Sequence, residues 1–315
     1  MKYKLNILIF SLISFLTFSQ ENNYTETIVN ISTESVTISG TLLKPISEEK
    51  AALVIIIPGS GPTDRDGNNT QLKNNSLKYL AEDLITQQIA TYRFDKSVLS
   101  YSNEDLEKLN ALTFDIFIDE AKSIINHFKN SKNYSKIIVA GHSQGSLVGI
   151  IASKNNADGF ISLAGTGRTI DENMIEQIGK QAPFLKTECA KILDQLKKGE
   201  IVENVNPMLN SLFRKSVQPF LISWIIYNPQ EEIKKLAIPV LIIQGTKDIQ
   251  VSNLDAELLH KANKNSQLNL IENMNHIFKE IKGDLTENMG SYTNPNLPIM
   301  KELTNNIVTF VNEIK

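Results

Sequence analysis

The chain predicts an α/β architecture, a mostly parallel, doubly wound sheet with a helical cap inserted over it. Three observations carry this prediction. Apolar runs at 52–57, 90–95, 136–140, 159–164 and 239–243 alternate with stretches of helical spacing, and continuous runs of this kind suit strands covered on both faces. Runs end in glycine-containing turns, as in Pro58-Gly59-Ser60-Gly61-Pro62 and Gly141-His142-Ser143-Gln144-Gly145. From 168 to 236 the rhythm breaks into polar-helical sequence interrupted by Pro183, Pro207, Pro219 and Pro229. That stretch is far longer than the dozen or so residues that one crossover needs, which favours an insertion over a run of ordinary crossover helices.

The elements follow in order. Residues 27–31 and 36–42 read as an antiparallel hairpin, and 52–57 as a central strand. Leu77, Leu80, Ala81, Leu84 and Ile85 keep helical spacing, with Asn75 or Ser76 as N-cap. A strand at 90–95 precedes a helix that begins near Thr113 and carries Phe117, Ile118, Ala121, Ile124, Ile125 and Phe128. The strand 136–140, its following helix and the strand 159–165 come next. After the insertion, a strand at 239–245, a helix near 254–262, a strand at 268–271 and a last helix carrying Leu303, Ile307, Phe310, Val311 and Ile314 complete the pattern.

Composition narrows the class. The chain has 315 residues, 41% of them hydrophobic, enough for one large core or two modest ones. A net charge of −3 with no basic stripe speaks against nucleic acid as a partner. Cys189 is the only cysteine, so no internal disulfide can form, and it reads as a small helix residue. The N-terminus reads as a signal peptide over 1–19. Lys2 and Lys4 precede an apolar run of fourteen residues, and Thr17 and Ser19 supply small side chains at the −3 and −1 positions of a cut. Fourteen residues are few for a hydrocarbon core of about 30 Å, so cleavage is expected rather than a membrane anchor. The mature domain is then 20–315, periplasmic or secreted, with the cap at 168–236.

The chemistry begins at Ser143. A β-branched run stops at Gly141 and helix-forming residues follow Gly145, the strand-turn-helix context of a G-x-S-x-G nucleophile elbow. A serine hydroxyl needs an adjacent base, and the base needs a carboxylate to orient it. In open α/β sheets such groups collect beyond the carboxyl ends of the strands. Asp248 follows the run ending at Gly245, and His276 follows the one ending near Ile271. The alternatives are an Asp248 that caps the next helix and a solvent-facing His276. His127 and His260 fall on helices and read as structural, and His142 as a group that packs or orients the elbow. Oxyanion donors are expected from the N–H of Gln144 and, on the glycine-rich loop, of Ser60, with Gly61 as the alternative. Pro62 has no N–H to give.

Two other site types fit poorly. The glycine-rich loop lacks the G-K-[ST] ending of a phosphate-binding P-loop. In Asp64-Arg65-Asp66-Gly67-Asn68, a calcium loop would want glycine and glutamate where Asn69 and Asn75 stand, so Asp and Arg contacts within the loop are expected instead. No His/Cys cluster offers a transition-metal site, and no cofactor is implied.

Taken together, these residues make the chain resemble the α/β-hydrolases, and within them the bacterial esterases grouped with serine aminopeptidase-like hydrolases. Beyond the segments already quoted, Arg93-Phe94-Asp95-Lys96, Ser216-Val217-Gln218-Pro219-Phe220-Leu221-Ile222-Ser223-Trp224, Gln244-Gly245-Thr246-Lys247-Asp248 and Met274-Asn275-His276 carry the resemblance. It implies hydrolysis of a small-molecule carboxylic ester by Ser143, Asp248 and His276, under a helical cap that shapes the acyl pocket. Gly61, Phe220 and Trp224 are the expected substrate contacts, although the cap aromatics suit ordinary packing as well. Peptide or amide cleavage, and a non-catalytic binding protein on the same fold, are the alternatives. Relatives commonly continue Arg-x-Asp-Lys with Arg-Gly-x-Gly, whereas this chain has Ser97-Val98-Leu99-Ser100, which leaves the acyl and alcohol groups open.

Overall fold

In the computed structural model, residues 23–33, 36–101 and 105–315 are described. The expected signal peptide at 1–19 lies outside them. Eight strands form one sheet in the order β1-β2-β4-β3-β5-β6-β7-β8. β1 (Tyr24–Ser32) and β2 (Thr37–Pro45) make the expected hairpin, and β2 pairs antiparallel with β4 (Ala90–Phe94). β3 (Leu53–Ile57), β5 (Ile137–His142), β6 (Gly159–Leu163), β7 (Val240–Gly245) and β8 (Gln267–Ile271) continue it in parallel.

The side-chain period of two divides each central strand between two cores. Leu53, Ile55 and Ile57 of β3 join Ile137 and Val139 of β5 on one face. Val54 and Ile56 join Ile138 and Ala140 on the other. The first face is covered by α3 (Phe114–Ser131), α4 (Gln144–Ser153) and α10 (Asn253–Ala262). The second is covered by α1 (Ser76–Thr86) and α12 (Lys301–Glu313). Continuous apolar strands are the sequence's record of this double covering.

Helix α2 (Leu106–Asn110) follows β4; at five residues, with only Leu106 and Leu109 apolar, it is too short for its spacing to stand out in the sequence. At α1, Asn75 occupies the N-cap position but in left-handed geometry (φ 55°), without a side-chain cap. The Asp66 carbonyl instead accepts from the Leu77 and Lys78 N–H groups, so a loop does the capping.

Between β6 and β7 lie α5 (Ile170–Gln181), α6 (Lys186–Lys197), α7 (Asn210–Phe213), α8 (Gln218–Ile225) and α9 (Pro229–Ile233). The first four share their own apolar cluster, including Met174, Cys189, Leu193, Phe213 and Leu221. Cys189 is fully buried there, and burial pushes its thiol up to about 11. Helix α9 behaves differently. Its Ile233 joins the core on the sheet, so the chain returns to the sheet layer before residue 236.

Candidate active site

Ser143 sits on the turn between β5 and α4 at φ 54°, ψ −119°, a backbone region that L-residues rarely occupy. Packing explains the strain. A Cβ on Gly145 would lie 2.5 Å from the Ile57 carbonyl oxygen, and one on Gly141 would lie 2.1 Å from that of Gly145. Only two glycines let α4 start this close to β3 and β5, and the serine between them is forced outward.

β7 and β8 bring the other two groups. His276 Nδ1 is 2.7 Å from Asp248 Oδ2, with both side chains almost wholly buried. Asp248 does not cap α10, which Ser252 and Asp255 cap through a reciprocal box. Its Oδ1 accepts from the N–H groups of Gln250 (2.7 Å) and Val251 (2.9 Å), and its Oδ2 also accepts from Gln244 Nε2 (2.9 Å). Burial pushes the Asp248 carboxyl up, but His276 and these N–H groups outweigh it and hold it below the usual carboxylate value. An ionised Asp248 fixes the proton of His276 on Nδ1 and leaves Nε2 as the free acceptor.

Ser143 and His276 line one cavity of about 200 Å³, together with Ser60, His142, Gln250 and Tyr292. Their mutual hydrogen bond is not closed in this structure. His142 lies behind them, its Nε2 2.9 Å from the His276 carbonyl oxygen. Burial and the neighbouring His276 push His142 down to about 3, so it stays neutral. It therefore holds the His276 backbone rather than the elbow alone. Of the remaining histidines, His127 is exposed on α3 and His260 on α10 pairs with Ser266 Oγ at 2.9 Å.

The loop after β3 supplies the facing wall. A Cβ on Gly59 would stand 3.4 Å from Ser143 Cβ, so Gly59 passes directly beside the serine. Among the described residues, the N–H groups of Ser60 and Gln144 have no intramolecular acceptor. Gly61, exposed at φ 74°, is not among the cavity residues. Phe220 and Trp224 are not brought to the cavity either. They stack with Phe114 and Phe117 of α3, with Phe114 and Trp224 rings parallel and 5.2 Å apart. The packing alternative describes where these two side chains lie.

Sequence reasoning missed what holds these loops. Asn275, fully buried, donates to Asn288 Oδ1 (3.0 Å) and Ser291 Oγ (2.8 Å) of α11 (Leu285–Ser291). Its Oδ1 accepts from the Ile277 and Lys279 N–H groups. On the other side, Arg65 clamps Asp95 through its backbone N–H (2.8 Å), Nε (3.1 Å) and Nη2 (2.6 Å), and Arg93 pairs with Asp66 at 3.0 Å. Lys96 Nζ donates to the Gly59 carbonyl at 2.6 Å. The expected Asp and Arg contacts are thus made, but partly with the end of β4 rather than wholly inside the loop. Among the described residues no group of three or more His, Cys, Asp or Glu could hold a metal ion, and no helix is long and apolar enough to cross a membrane.

A serine on a strained turn, a His–Asp pair whose His276 lines the same cavity, and free N–H groups on Ser60 and Gln144 can carry out acyl transfer. No family model matches the chain. It is 27% identical over 250 residues to the esterase EstD of Thermotoga maritima, a match covering 74% of this chain and 56% of that protein. It thus spans little more than half the length of that relative. Similar solved structures include Est1E from Butyrivibrio proteoclasticus, with a TM-score of 0.58, 18% identity and coverage of 91% of this chain and 99% of that one. The Pyrococcus furiosus esterase Pf2001 has a TM-score of 0.56 at 14% identity, covering 92% of each chain. A bromoperoxidase from Bacillus anthracis has 0.54 at 14%, covering 91% of this chain and 100% of that one. The fold is that of the α/β-hydrolases.

Proposed function

We propose that the protein is a serine carboxylic-ester hydrolase. The observation that carries this reading is that His276, held by Asp248 at 2.7 Å, lines the same cavity as a strained Ser143. In the proposed cycle Ser143 Oγ attacks the ester carbonyl carbon and its proton passes to His276 Nε2. The carbonyl electron pair moves onto the oxygen, which accepts from the Ser60 and Gln144 N–H groups. The C–O bond then breaks, the alcohol leaves with the proton from His276, and water repeats the sequence on the acyl-enzyme.

Continuous with the cavity, through Leu72, Gln250 and Tyr292, is a groove of about 430 Å³ that also takes in Gln177, Gln181, Ile249, Met289 and Thr293. It contains no charged side chain. An uncharged, largely apolar arm of the ester fits this lining, whether short-chain or aromatic. The relative Est1E has been solved with ferulic acid bound, which is in keeping with an aromatic arm. The chemistry does not call for a cofactor. For the 1–19 segment we propose export to the periplasm or beyond, which cell fractionation of the full chain tests.

Purified protein treated with a fluorophosphonate should label once, and Ser143→Ala should not label at all. Hydrolysis of p-nitrophenyl esters should exceed that of aminoacyl anilides. Labelling that survives Ser143→Ala overturns the reading, and anilides turned over faster than esters would make the protein an amidase.

A further inference from the structure

We infer that Lys96 is a positioning residue for the oxyanion donor Ser60, acting through the Gly59–Ser60 peptide. The inference rests on the ester-hydrolase reading and adds to it a group that touches neither substrate nor the triad.

The geometry is that of a single peptide unit. In a trans peptide the C=O of one residue and the N–H of the next point in opposite directions. The Gly59 carbonyl points to Lys96 Nζ, 2.6 Å away, so the Ser60 N–H points the other way. Ser60 lines the Ser143 cavity and its N–H has no acceptor of its own. Pinning one end of the peptide therefore aims the other. Without that hold, Gly59-Ser60-Gly61 is a glycine-rich segment whose peptide could rotate the donor away. A hydrogen bond at the carbonyl also draws electron density from the amide and makes its N–H a stronger donor.

Lys96 is built into this place. It is 3% exposed, and its Nζ lies 5.0 Å over the Phe117 ring. Glu120, one turn further along α3, is the carboxylate that acts on it, and Glu120 Oε2 accepts from the Ser97 N–H at 3.4 Å. Burial raises the Glu120 carboxyl, while Ser97 and the charge of Lys96 act to lower it. Burial pushes Lys96 down to about 7, with Glu120 opposing the shift. Protonated or neutral, Nζ carries N–H groups to donate, so its hold on the Gly59 carbonyl does not depend on the charge.

The test uses the full chain with Lys96→Met, which keeps the length and removes the donor. Losing an oxyanion contact made only in the transition state lowers kcat and kcat/KM equally. We expect kcat to fall by about 10- to 100-fold, below the loss on deleting a donor outright, with KM within about twofold. An aryl trifluoromethyl ketone, which adds to Ser143 as a tetrahedral oxyanion, should lose affinity by the same factor as kcat. A structural role would change thermal stability without that correspondence. The double substitution Lys96→Met with Glu120→Gln removes the unpaired carboxylate and serves where the single variant does not fold. A kcat within twofold of the parent, or an unchanged ketone affinity, in whichever variant folds overturns the inference. Failure of the parent to label with fluorophosphonate overturns the ester-hydrolase reading instead.

Discussion

The two walls of the Ser143 cavity are held in opposite ways. On the wall made by the ends of β7 and β8, His276 and Asp248 are fixed by amides: Gln244, Asn275 and Asn288, with backbone N–H groups. On the wall made by the ends of β3 and β4, the Gly59–Asn68 loop is fixed by charges: Arg65 on Asp95, Arg93 on Asp66, Lys96 on the Gly59 carbonyl. The difference follows from what each wall must do. His276 has one charged partner, the Asp248 carboxylate, and the groups that hold that pair in place are neutral amides and backbone N–H groups. An N–H aimed at a developing negative charge gains from a loop pinned by ion pairs and from a carbonyl held by a donor behind it.

The largest effect is expected at the acid of the neutral wall. Asp248→Asn would place an amide against His276 Nδ1 and favour the wrong tautomer, so kcat should fall by about 10⁴-fold. A fluorophosphonate time course checks this, and retention of full activity would remove Asp248 from the mechanism. Next comes Asn275→Ala, which strands two buried side chains and two N–H groups. It should cost about 2–4 kcal/mol in urea unfolding, and lower kcat as the His276 loop loosens.

The charged wall predicts a pH effect. The folded protein holds Lys96 near 7 while the unfolded chain holds it near the usual 10.5. Between those values the unfolded state binds the extra proton, so this group makes stability rise with pH across about 7 to 10.5. The Tm difference between parent and Lys96→Met should therefore shift in the parent's favour as pH climbs through that window. A flat difference would mean the lysine is solvated like any other. Asp248, also held low, has the same sign in a lower pH window. Its contribution is present above the ordinary carboxylate range and is lost as pH falls through its folded value. The smallest effect belongs to the groove. Ile249→Ala trims a side chain that is 45% exposed, and should change the ratio of long- to short-chain ester turnover by less than about tenfold.

How much of this was legible depended on whether the signal was local. The strands were, because double burial writes itself as unbroken apolar runs at 53–57 and 240–243. Ser143, Asp248 and His276 were legible as residue types stationed just past strand ends, in the expected order. The holders were not. Lys96 and Asn275 stand in motifs that carry the resemblance, but no local pattern ties Lys96 to Glu120, 24 positions on, or Asn275 to Asn288 and Ser291. The pairing of Lys96 with Glu120 exists only once β4 and α3 are packed. Phe220 and Trp224 are residues for which the sequence left substrate contact and ordinary packing both open. Aromatic residues in a cap suggest a substrate pocket, yet Phe114 and Phe117, more than a hundred positions earlier, take up their faces.

The elbow's backbone has a further consequence. A residue at φ 54°, ψ −119° is one that the chain would abandon if its neighbours allowed. Ser143→Gly relieves the strain where Ser143→Ala keeps it, so the glycine variant should melt higher than the alanine variant, by the equivalent of about 1–3 kcal/mol. Both would be inactive. The gap between two dead proteins would then measure how far selection has held a working serine in a conformation that folding alone would reject.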